Sequence, residues 1–239
     1  MNTGFSGKLA LIAGGTGGLG RAVSLAFLEQ GAKVVVTYRE QKEFDDLKRI
    51  AGVNASTLQG HRVDVTDEAA VEPFVPRVLT EHGRLDVVVN AVGAYAGGVK
   101  LWEMDPKVFD RMLALNLRSG YLLSRAVVPA MLKQGNGAIV NVVAKAALDH
   151  GAGAAAYAAS KAAALAMTDS LAADLTGTGV RVNSVLPSII DTEANRKAMP
   201  DADFAKWPKP EEIARVILFL CGDDARVIHG AAVPVYGDR

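Results

Sequence analysis

The sequence predicts an α/β fold, a doubly wound parallel sheet of about seven strands with helices on both faces. Two observations carry this prediction. Strand-like and helix-like segments alternate strictly along the chain. Several strand segments are near-continuous apolar runs, such as LDVVVN at 85–90 and AIVNVV at 138–143, which is typical of strands buried on both faces of a parallel sheet. Parallel strands need crossover helices, and these supply the two outer layers.

The elements follow in order along the chain. The predicted strands are 8–13, 33–37, 58–63, 85–90, 138–143, 180–186 and 232–235. The predicted helices are 19–30, 41–50, a segment capped by 64–67 and reaching about residue 81, 106–133, 154–175 and 210–220. With no linker or internal repeat visible, one catalytic domain is expected over residues 1–239. The long irregular segment 187–208 is expected to be a substrate loop, because loops of that length are usually functional.

Composition excludes several classes of protein. The 26 basic and 26 acidic residues cancel, which removes the electrostatic drive toward nucleic acid or an anionic membrane. One cysteine cannot form an internal disulfide, and the four histidines are scattered, so no metal site is expected. The first apolar run, at 9–13, is short and ends in glycines, unlike a signal peptide. A soluble cytoplasmic protein with a small-molecule substrate, and without nucleic-acid or membrane partners, is the expectation.

A glycine-rich loop, AGGTGGLG at residues 13–20, lies between the first predicted strand and helix. Glycines let the backbone turn tightly and approach a pyrophosphate, and the helix that follows offers free N–H groups and the positive end of its dipole. Strand, glycine loop and helix in this order indicate a Rossmann-type dinucleotide site. The residues expected to contact the cofactor here are Gly14, Thr16, Gly18, Leu19 and Gly20.

The end of the second strand bears on which dinucleotide binds. NAD sites usually carry Asp or Glu about 20 residues beyond the glycine loop, whereas this chain has Tyr38 and Arg39. An arginine can pair with a ribose 2′-phosphate, so NADP(H) is favoured over NAD(H). NAD remains open because Glu40 is adjacent and no basic residue lies in the glycine loop.

A tyrosine and a lysine, Tyr157 and Lys161, open the helix predicted at 154–175. Their i, i+4 spacing places them on one face. A nearby ammonium stabilises tyrosinate, so the pair predicts a lowered pKa for Tyr157 and an acid/base role near neutral pH.

Taken together, the chain resembles the short-chain dehydrogenase/reductase family from end to end. The matching stretches are the glycine loop, Asp64-Val65, 90–93 (NAVG, a partial match), 116–120 (NLRSG), the Tyr157/Lys161 pair and 187–192 (PSIIDT). The resemblance implies that Tyr157 transfers the proton, that Lys161 binds the nicotinamide ribose and tunes the tyrosine, and that Asn116 holds a relay water. It also implies cofactor contacts from Asp64, Val65, Asn90, Pro187, Ile190 and Thr192, and a homodimer or homotetramer.

One position departs from the family pattern. The family usually has a catalytic serine thirteen residues before the tyrosine, and here that residue is Ala144. Losing such an oriented donor can lower a rate by on the order of 10²-fold or more. Either catalysis is weakened or absent, or the substrate does not need the serine.

The second interpretation has its own resemblance. Residues 144–149 (AKAALD), 93–98 (GAYAGG) and much of 191–207 are similar to the quinonoid dihydropteridine reductases, a divergent branch that also lacks this serine. The resemblance places Ala144, Tyr95 and Trp207 at the substrate. Met199, Phe204 and Trp207 either close over the substrate or pack the loop onto the core.

Three hypotheses of function remain. The first is an NAD(P)H-dependent reductase acting on a small conjugated acceptor such as a quinonoid dihydropterin. The second is a carbonyl or 3-oxoacyl reductase that tolerates Ala144. The third is an NADP-binding protein without catalysis.

Overall fold

The computed structural model describes residues 4–237. The strands are β1 (Leu9–Ala13), β2 (Lys33–Tyr38), β3 (Leu58–Arg62), β4 (Val87–Asn90), β5 (Gly137–Val142), β6 (Val180–Pro187) and β7 (Ala232–Val235). The α-helices are α1 (Gly18–Glu29), α2 (Gln41–Ala51), α3 (Glu68–His82), α4 (Pro106–Leu113), α5 (Ser119–Gln134), α6 (Ala155–Asp174), α7 (Glu193–Ala198) and α8 (Pro210–Cys221).

All seven strands form one parallel sheet in the order β3-β2-β1-β4-β5-β6-β7. The chain winds outward from β1 through β2 and β3, then returns to the other side of β1 with β4. Ligands of open α/β sheets bind beyond the carboxyl ends of the strands at such a reversal. The fold therefore directs attention to the loops that follow β1 and β4, and the predicted fold class is confirmed.

The sheet separates two apolar layers, because successive strand side chains point to opposite faces. On β1, Ala10 and Ile12 join the layer that contains Phe27 of α1 and Ile217 of α8. The other β1 side chains join the layer covered by helices α3 and α5, around Met131. Helices α1 and α8 pack against each other, as do α3 and α5. A sheet fixed on both faces gives its loops a rigid base.

Two predicted elements differ from the structure. The helix predicted at 106–133 is divided by one π-helical turn, Ala114–Arg118, between α4 and α5. The segment predicted as irregular, 187–208, contains α7 and a short 3₁₀ turn, Phe204–Lys206. Thr192 starts α7 because its hydroxyl accepts the backbone N–H of Asn195, the usual way in which threonine begins a helix.

Within residues 4–237, no helix is long and apolar enough to cross a membrane. The same part of the chain holds no group of three or more His, Cys, Asp or Glu side chains placed to bind a metal ion.

Candidate active site

A cleft of about 790 Å³ opens at the carboxyl edge of the sheet, beside the reversal between β1 and β4. The glycine loop and the start of α1 form one wall. The start of α7 forms another, and Ala91 and Gly93 of the loop after β4 contribute to the lining. The residues that line the cleft come from the glycine loop, the loop after β4 and the segment after β6, where the sequence predicts contacts with a dinucleotide.

The glycine loop has the geometry of a phosphate cradle. Gly14 has φ +69°, a left-handed conformation that other residues rarely adopt. A Cβ on Gly20 would lie 2.0 Å from the carbonyl oxygen of Gly14, so the loop closes only with glycine there. Helix α1 begins without a side-chain cap and without an acidic residue in its first turn, which leaves its N–H groups available to an anion. These residues fit the pyrophosphate of a dinucleotide.

Contacts with α2 and with the segment after β6 hold the glycine loop in place. The Thr16 hydroxyl donates to Oε2 of Glu43 in α2 at 2.8 Å. A Cβ on Gly18 would lie 2.9 Å from Cγ2 of Thr192, so the segment after β6 passes close over the start of α1. Leu19 is buried in the core behind the cradle.

Two arginines, Arg39 and Arg62, lie at the carboxyl ends of the neighbouring strands β2 and β3. Arg39 is exposed, and its carbonyl accepts the Nε–H of Arg62 at 2.9 Å. Tyr38, predicted at the cofactor, stacks on Phe44 of α2 with centroids 4.9 Å apart and donates its hydroxyl to Gln41. The Tyr38 ring is therefore packed against α2.

Asp64 and Val65 follow β3. The Asp64 carboxylate accepts the N–H and the hydroxyl of Thr66, and these hydrogen bonds, with the charge of Arg39, lower the pKa of Asp64. Val65 is buried in the core, so only its backbone is open to a ligand.

Asn90 fixes the turn that leaves β4. Its buried amide accepts the N–H of Val92 at 3.2 Å and donates to the Ser119 hydroxyl at 3.3 Å. This turn carries Gly93 to the cleft and leads on to Tyr95.

The π-helical turn between α4 and α5 presents Asn116, which is 4% exposed. Its Oδ1 accepts the N–H of Ala94 at 2.9 Å, while its Nδ2 donates to the Ala94 carbonyl at 3.0 Å and to the Ser160 hydroxyl at 2.9 Å. Both amide protons therefore have protein acceptors, so a relay water would have to bind an oxygen of Asn116, either Oδ1 or the main-chain carbonyl.

Lys161 of α6 is fully buried and donates from Nζ to the Val142 carbonyl at 3.0 Å. Burial lowers the pKa of Lys161 to about 8. A Cβ on Gly93 would lie 2.9 Å from Oδ1 of Asn116 and 3.2 Å from Nζ of Lys161. Gly93 therefore marks the point where the loop after β4 meets both predicted catalytic groups.

Tyr157 lies half-buried one turn before Lys161, and its carbonyl accepts the Ser160 hydroxyl at 2.7 Å. Burial, with a smaller contribution from Tyr95, raises the pKa of Tyr157 to about 12. The expected lowering by Lys161 is therefore wrong in direction for this structure. Desolvation disfavours the tyrosinate and dominates the balance. The phenol is protonated at neutral pH, the form that a proton donor needs.

Ala144 follows β5 in an extended conformation and is 6% exposed. The next residue, Lys145, pairs with Asp149 at 2.9 Å and lies over the ring of Tyr236. The 3₁₀ turn that begins at Lys145 packs against α6, which carries Tyr157.

The segment after β6, which we call the lid, spans 188–208. It leaves the sheet at Pro187, which is buried, and the carbonyl of Ile190 accepts the N–H of Thr192 at 2.8 Å. Arg196 donates two hydrogen bonds to the Asp191 carboxylate and lies 4.9 Å from the ring centroid of Phe204.

Trp207 lies elsewhere. It packs on Phe204 and lines a separate depression of about 470 Å³ against α8 and the end of β7. The structure does not bring it together with Tyr157, so its predicted substrate contact has no geometric counterpart here. The order of residues along the lid gave no indication of which side the indole faces.

The comparisons with known proteins agree with this geometry. The sequence pattern described as "short chain dehydrogenase" matches residues 8–203. A 3-oxoacyl-[acyl-carrier-protein] reductase FabG of Thermotoga maritima is 33% identical over 239 residues, covering 97% of each chain. A D-threitol dehydrogenase of Mycolicibacterium smegmatis is 34% identical over 243 residues, covering 97% of this chain and 92% of its own.

Solved structures match equally well. ElxO with NADP bound superposes with a TM-score of 0.91 at 27% identity, covering 96% of this chain and 97% of its own. An NAD⁺-bound xylitol dehydrogenase superposes with a TM-score of 0.90 at 25% identity, covering 98% and 99%. The chain belongs to the short-chain dehydrogenase/reductase family and is an NAD(P)-dependent oxidoreductase of that family. Because the two neighbours hold different dinucleotides, they do not decide between NAD and NADP.

Four residues near the cleft were missed by the sequence reasoning. Arg62 could have been found from strand register, since it pairs with Tyr38 across β2 and β3. Gly93 lies within a recognised motif, but only the packing explains its size. Ser160 and Glu43 are unremarkable in sequence, and their hydrogen bonds to Asn116 and Thr16 depend on how α6 and α2 dock.

Proposed function

We propose that this oxidoreductase reduces a small conjugated acceptor such as a quinonoid dihydropterin, with Tyr157 as the proton donor. The observation that carries the proposal is Ala144, a buried methyl group at the position where the family usually has a catalytic serine. A conjugated acceptor is already activated toward hydride. It needs one proton but no hydroxyl to polarise a carbonyl.

The roles of the side chains follow from their positions. When bound, the nicotinamide dinucleotide supplies the hydride. Tyr157, protonated at neutral pH, gives its phenolic proton to the substrate. Lys161 is mostly an ammonium at pH 7 even with its pKa near 8, and it lies beside Gly93, where it can donate to a ribose hydroxyl. Asn116 ties the loop after β4 to Ser160 and so holds the two walls of the site together.

The cofactor proposal is NADP(H) in preference to NAD(H). The exposed Arg39 guanidinium, together with Arg62, which donates from Nε to the Arg39 carbonyl, would supply positive charge to a ribose 2′-phosphate. The charge of Arg39 also acts on Asp64, the residue that the family resemblance assigns to the cofactor, which supports a position for the guanidinium near the adenosine. Glu43 opposes this preference, because its carboxylate reaches the glycine loop through Thr16.

A steady-state assay tests both parts. NADPH and NADH oxidation would be followed with quinonoid dihydropterin and with a β-ketoester as acceptors, for the wild type and Tyr157→Phe. We expect turnover of the dihydropterin, with a rate at least about 10²-fold lower in Tyr157→Phe and unchanged cofactor binding. Absence of dihydropterin turnover would rule out that substrate, and an undiminished rate in Tyr157→Phe would rule out the tyrosine as the proton donor.

The cofactor preference has its own test. Arg39→Ala should weaken NADPH binding about tenfold while leaving NADH binding nearly unchanged. Calorimetric titration of both dinucleotides checks this. Equal losses for both would contradict a 2′-phosphate contact.

A ketone or 3-oxoacyl reductase is the second candidate, favoured by the 33% identity to a FabG reductase. It predicts that the β-ketoester is turned over faster than the dihydropterin. A binding protein without catalysis is the third candidate, and it predicts tight NADPH binding with no oxidation by any acceptor.

The assembly and location are also proposals. Alanines along α6 allow close helix packing, which supports the expected homodimer or homotetramer, and a cytoplasmic location is the expected one. Light scattering that gave a monomer would contradict the first. A cell fractionation that found the protein outside the cytoplasm would contradict the second.

A further inference from the structure

Tyr95 lies directly against the proposed proton donor. Its ring meets that of Tyr157 edge to face, with centroids 5.0 Å apart and planes at 76°. Tyr95 itself is 68% exposed, whereas Tyr157 is half-buried. Tyr95 thus stands between Tyr157 and solvent on the side of the loop after β4.

The loop holds Tyr95 in this place from both directions. Ala94, just before it, makes two backbone hydrogen bonds to the amide of Asn116. Just after it, a Cβ on Gly97 would lie 2.1 Å from the Tyr95 hydroxyl, so the ring folds back over a glycine that leaves room for it. Gly98 has φ +84°, and a Cβ on Gly153, in the segment that leads into α6, would lie 3.5 Å from it. The loop is therefore braced on the segment that carries Tyr157.

We propose that Tyr95 is a positioning residue for Tyr157: its ring edge fixes the orientation of the phenol and keeps water from one side of it. This inference rests on the proposed function, in which Tyr157 gives the proton. An edge-to-face pair of this geometry is a favoured aromatic contact and restricts both rings. Tyr95 remains free on its outer face to contact a substrate.

The electrostatics agree with this placement. Desolvation and Tyr95 together raise the pKa of Tyr157. Charged groups on elements that pack against α6 include Lys161 on α6 itself, the Lys145–Asp149 ion pair on the adjacent 3₁₀ turn, and Lys107, Asp110 and Arg111 on α4. Asn116 and Ser160 reach the backbone of Tyr157 through neutral hydrogen bonds. The contact with Tyr95 therefore acts in the same direction as burial, toward the protonated phenol.

The test is a direct titration of Tyr157 that needs no substrate. The chain contains five tyrosines, so protein labelled with ¹³C at tyrosine Cζ gives a simple NMR spectrum in which Tyr157→Phe assigns the resonance of interest. In the wild type that resonance should stay at the phenol position to about pH 11. In Tyr95→Leu its midpoint should fall by about one pH unit, because water reaches the ring.

Two further variants make the result specific. Tyr95→Phe keeps the ring edge and should restore most of the wild-type titration. Tyr121→Leu, at an exposed tyrosine on α5, is the matched control and should leave Tyr157 unchanged. Should Tyr95→Leu fail to fold, Gly97→Ala, which displaces the Tyr95 hydroxyl, should produce the same downward shift.

A Tyr157 titration that is unmoved by both Tyr95→Leu and Gly97→Ala would overturn the inference. In the assay with NADPH and quinonoid dihydropterin, the rate should fall in Tyr95→Leu and return in Tyr95→Phe. Activity that survives in Tyr157→Phe would count against the proposed function instead, so the two failures are distinguishable.

Discussion

The buried network around Asn116 and the lid at 188–208 hold their side chains in opposite ways. Asn116, Ser160 and Lys161 are each at most 4% exposed, and every one of them is hydrogen-bonded to backbone or to another buried group. The lid, apart from the Arg196–Asp191 pair, carries ion pairs open to solvent, such as Lys197–Glu193 and Lys206–Asp203. Exposed pairs of this kind contribute little to stability. The site is therefore rigid on the sheet side and adjustable on the lid side.

The largest effect should come from removing the buried charge of the rigid side. Lys161→Met should lower activity by about 10²-fold or more, since the ammonium beside Gly93 is lost. The same variant should be more stable at pH 7, by about 1–3 kcal/mol, because folding no longer desolvates a charged group. Urea unfolding and the NADPH assay check the two halves of this prediction.

The pH dependence of the free energy of unfolding shows in which direction Lys161 affects stability. Lys161 has a pKa of about 8 in the fold and 10.5 as an ordinary lysine, so between these values the unfolded chain binds more protons. The free energy of unfolding of the wild type should therefore rise with pH from about 8 to 10.5 through this group. Parallel curves for wild type and Lys161→Met would contradict the assignment.

A smaller break in the same region should come from Gly93→Ala. The added Cβ would press on Asn116 and Lys161, so activity should fall by about tenfold, less than in Lys161→Met, because both groups are displaced but not removed. Gly151→Ala is the control, since a Cβ there meets nothing within 4 Å and the residue lies on the segment before α6. Equal activity for both variants would show that the close approach at Gly93 is unimportant.

Ala144→Ser introduces the hydroxyl that the family usually has at this position. It tests whether that hydroxyl changes the turnover of each acceptor. If the chain is a dihydropterin reductase, turnover of the dihydropterin should change less than about threefold, while β-ketoester turnover rises about tenfold or more from an added donor. Rates of NADPH oxidation with the two acceptors measure this. Unimproved ketone turnover would mean that Ala144 is not what limits it.

The smallest effect belongs to the lid. Arg196→Gln removes the two hydrogen bonds to Asp191 and the contact with Phe204. Cofactor binding should weaken only a few-fold, with Arg196→Lys in between because it keeps the charge but not the bidentate geometry. The chain has two tryptophans, so the measurement is Trp207 fluorescence during NADPH titration in a Trp102→Phe background. A loss as large as that in Gly93→Ala would erase the contrast between the two sides.

The sequence predicted the fold and the glycine loop that lines the cleft, because apolar strands and a glycine loop are local patterns. It failed where distant segments decide the outcome. The pKa direction of Tyr157 depends on its burial, with a smaller contribution from the charge of Tyr95. The side of the lid that Trp207 faces depends on docking against α8. Nor did residues 114–118 contain a glycine or proline that would mark the π-helical turn.

The π-helical turn at 114–118 separates the packing of α4 from the packing of α5, which one continuous helix would have to combine. An α-helix advances about 100° per residue, so the extra residue of a π turn puts α4 and α5 out of phase with each other. Helix α4 packs on α6, while α5 packs on α3 and the sheet, and each can present its own apolar side. A single-residue deletion between 114 and 118 would bring the two helices back into phase. It would turn Asn116 away from Ala94 without changing any residue of the cleft wall. The number of residues in this turn is therefore as constrained as the asparagine itself.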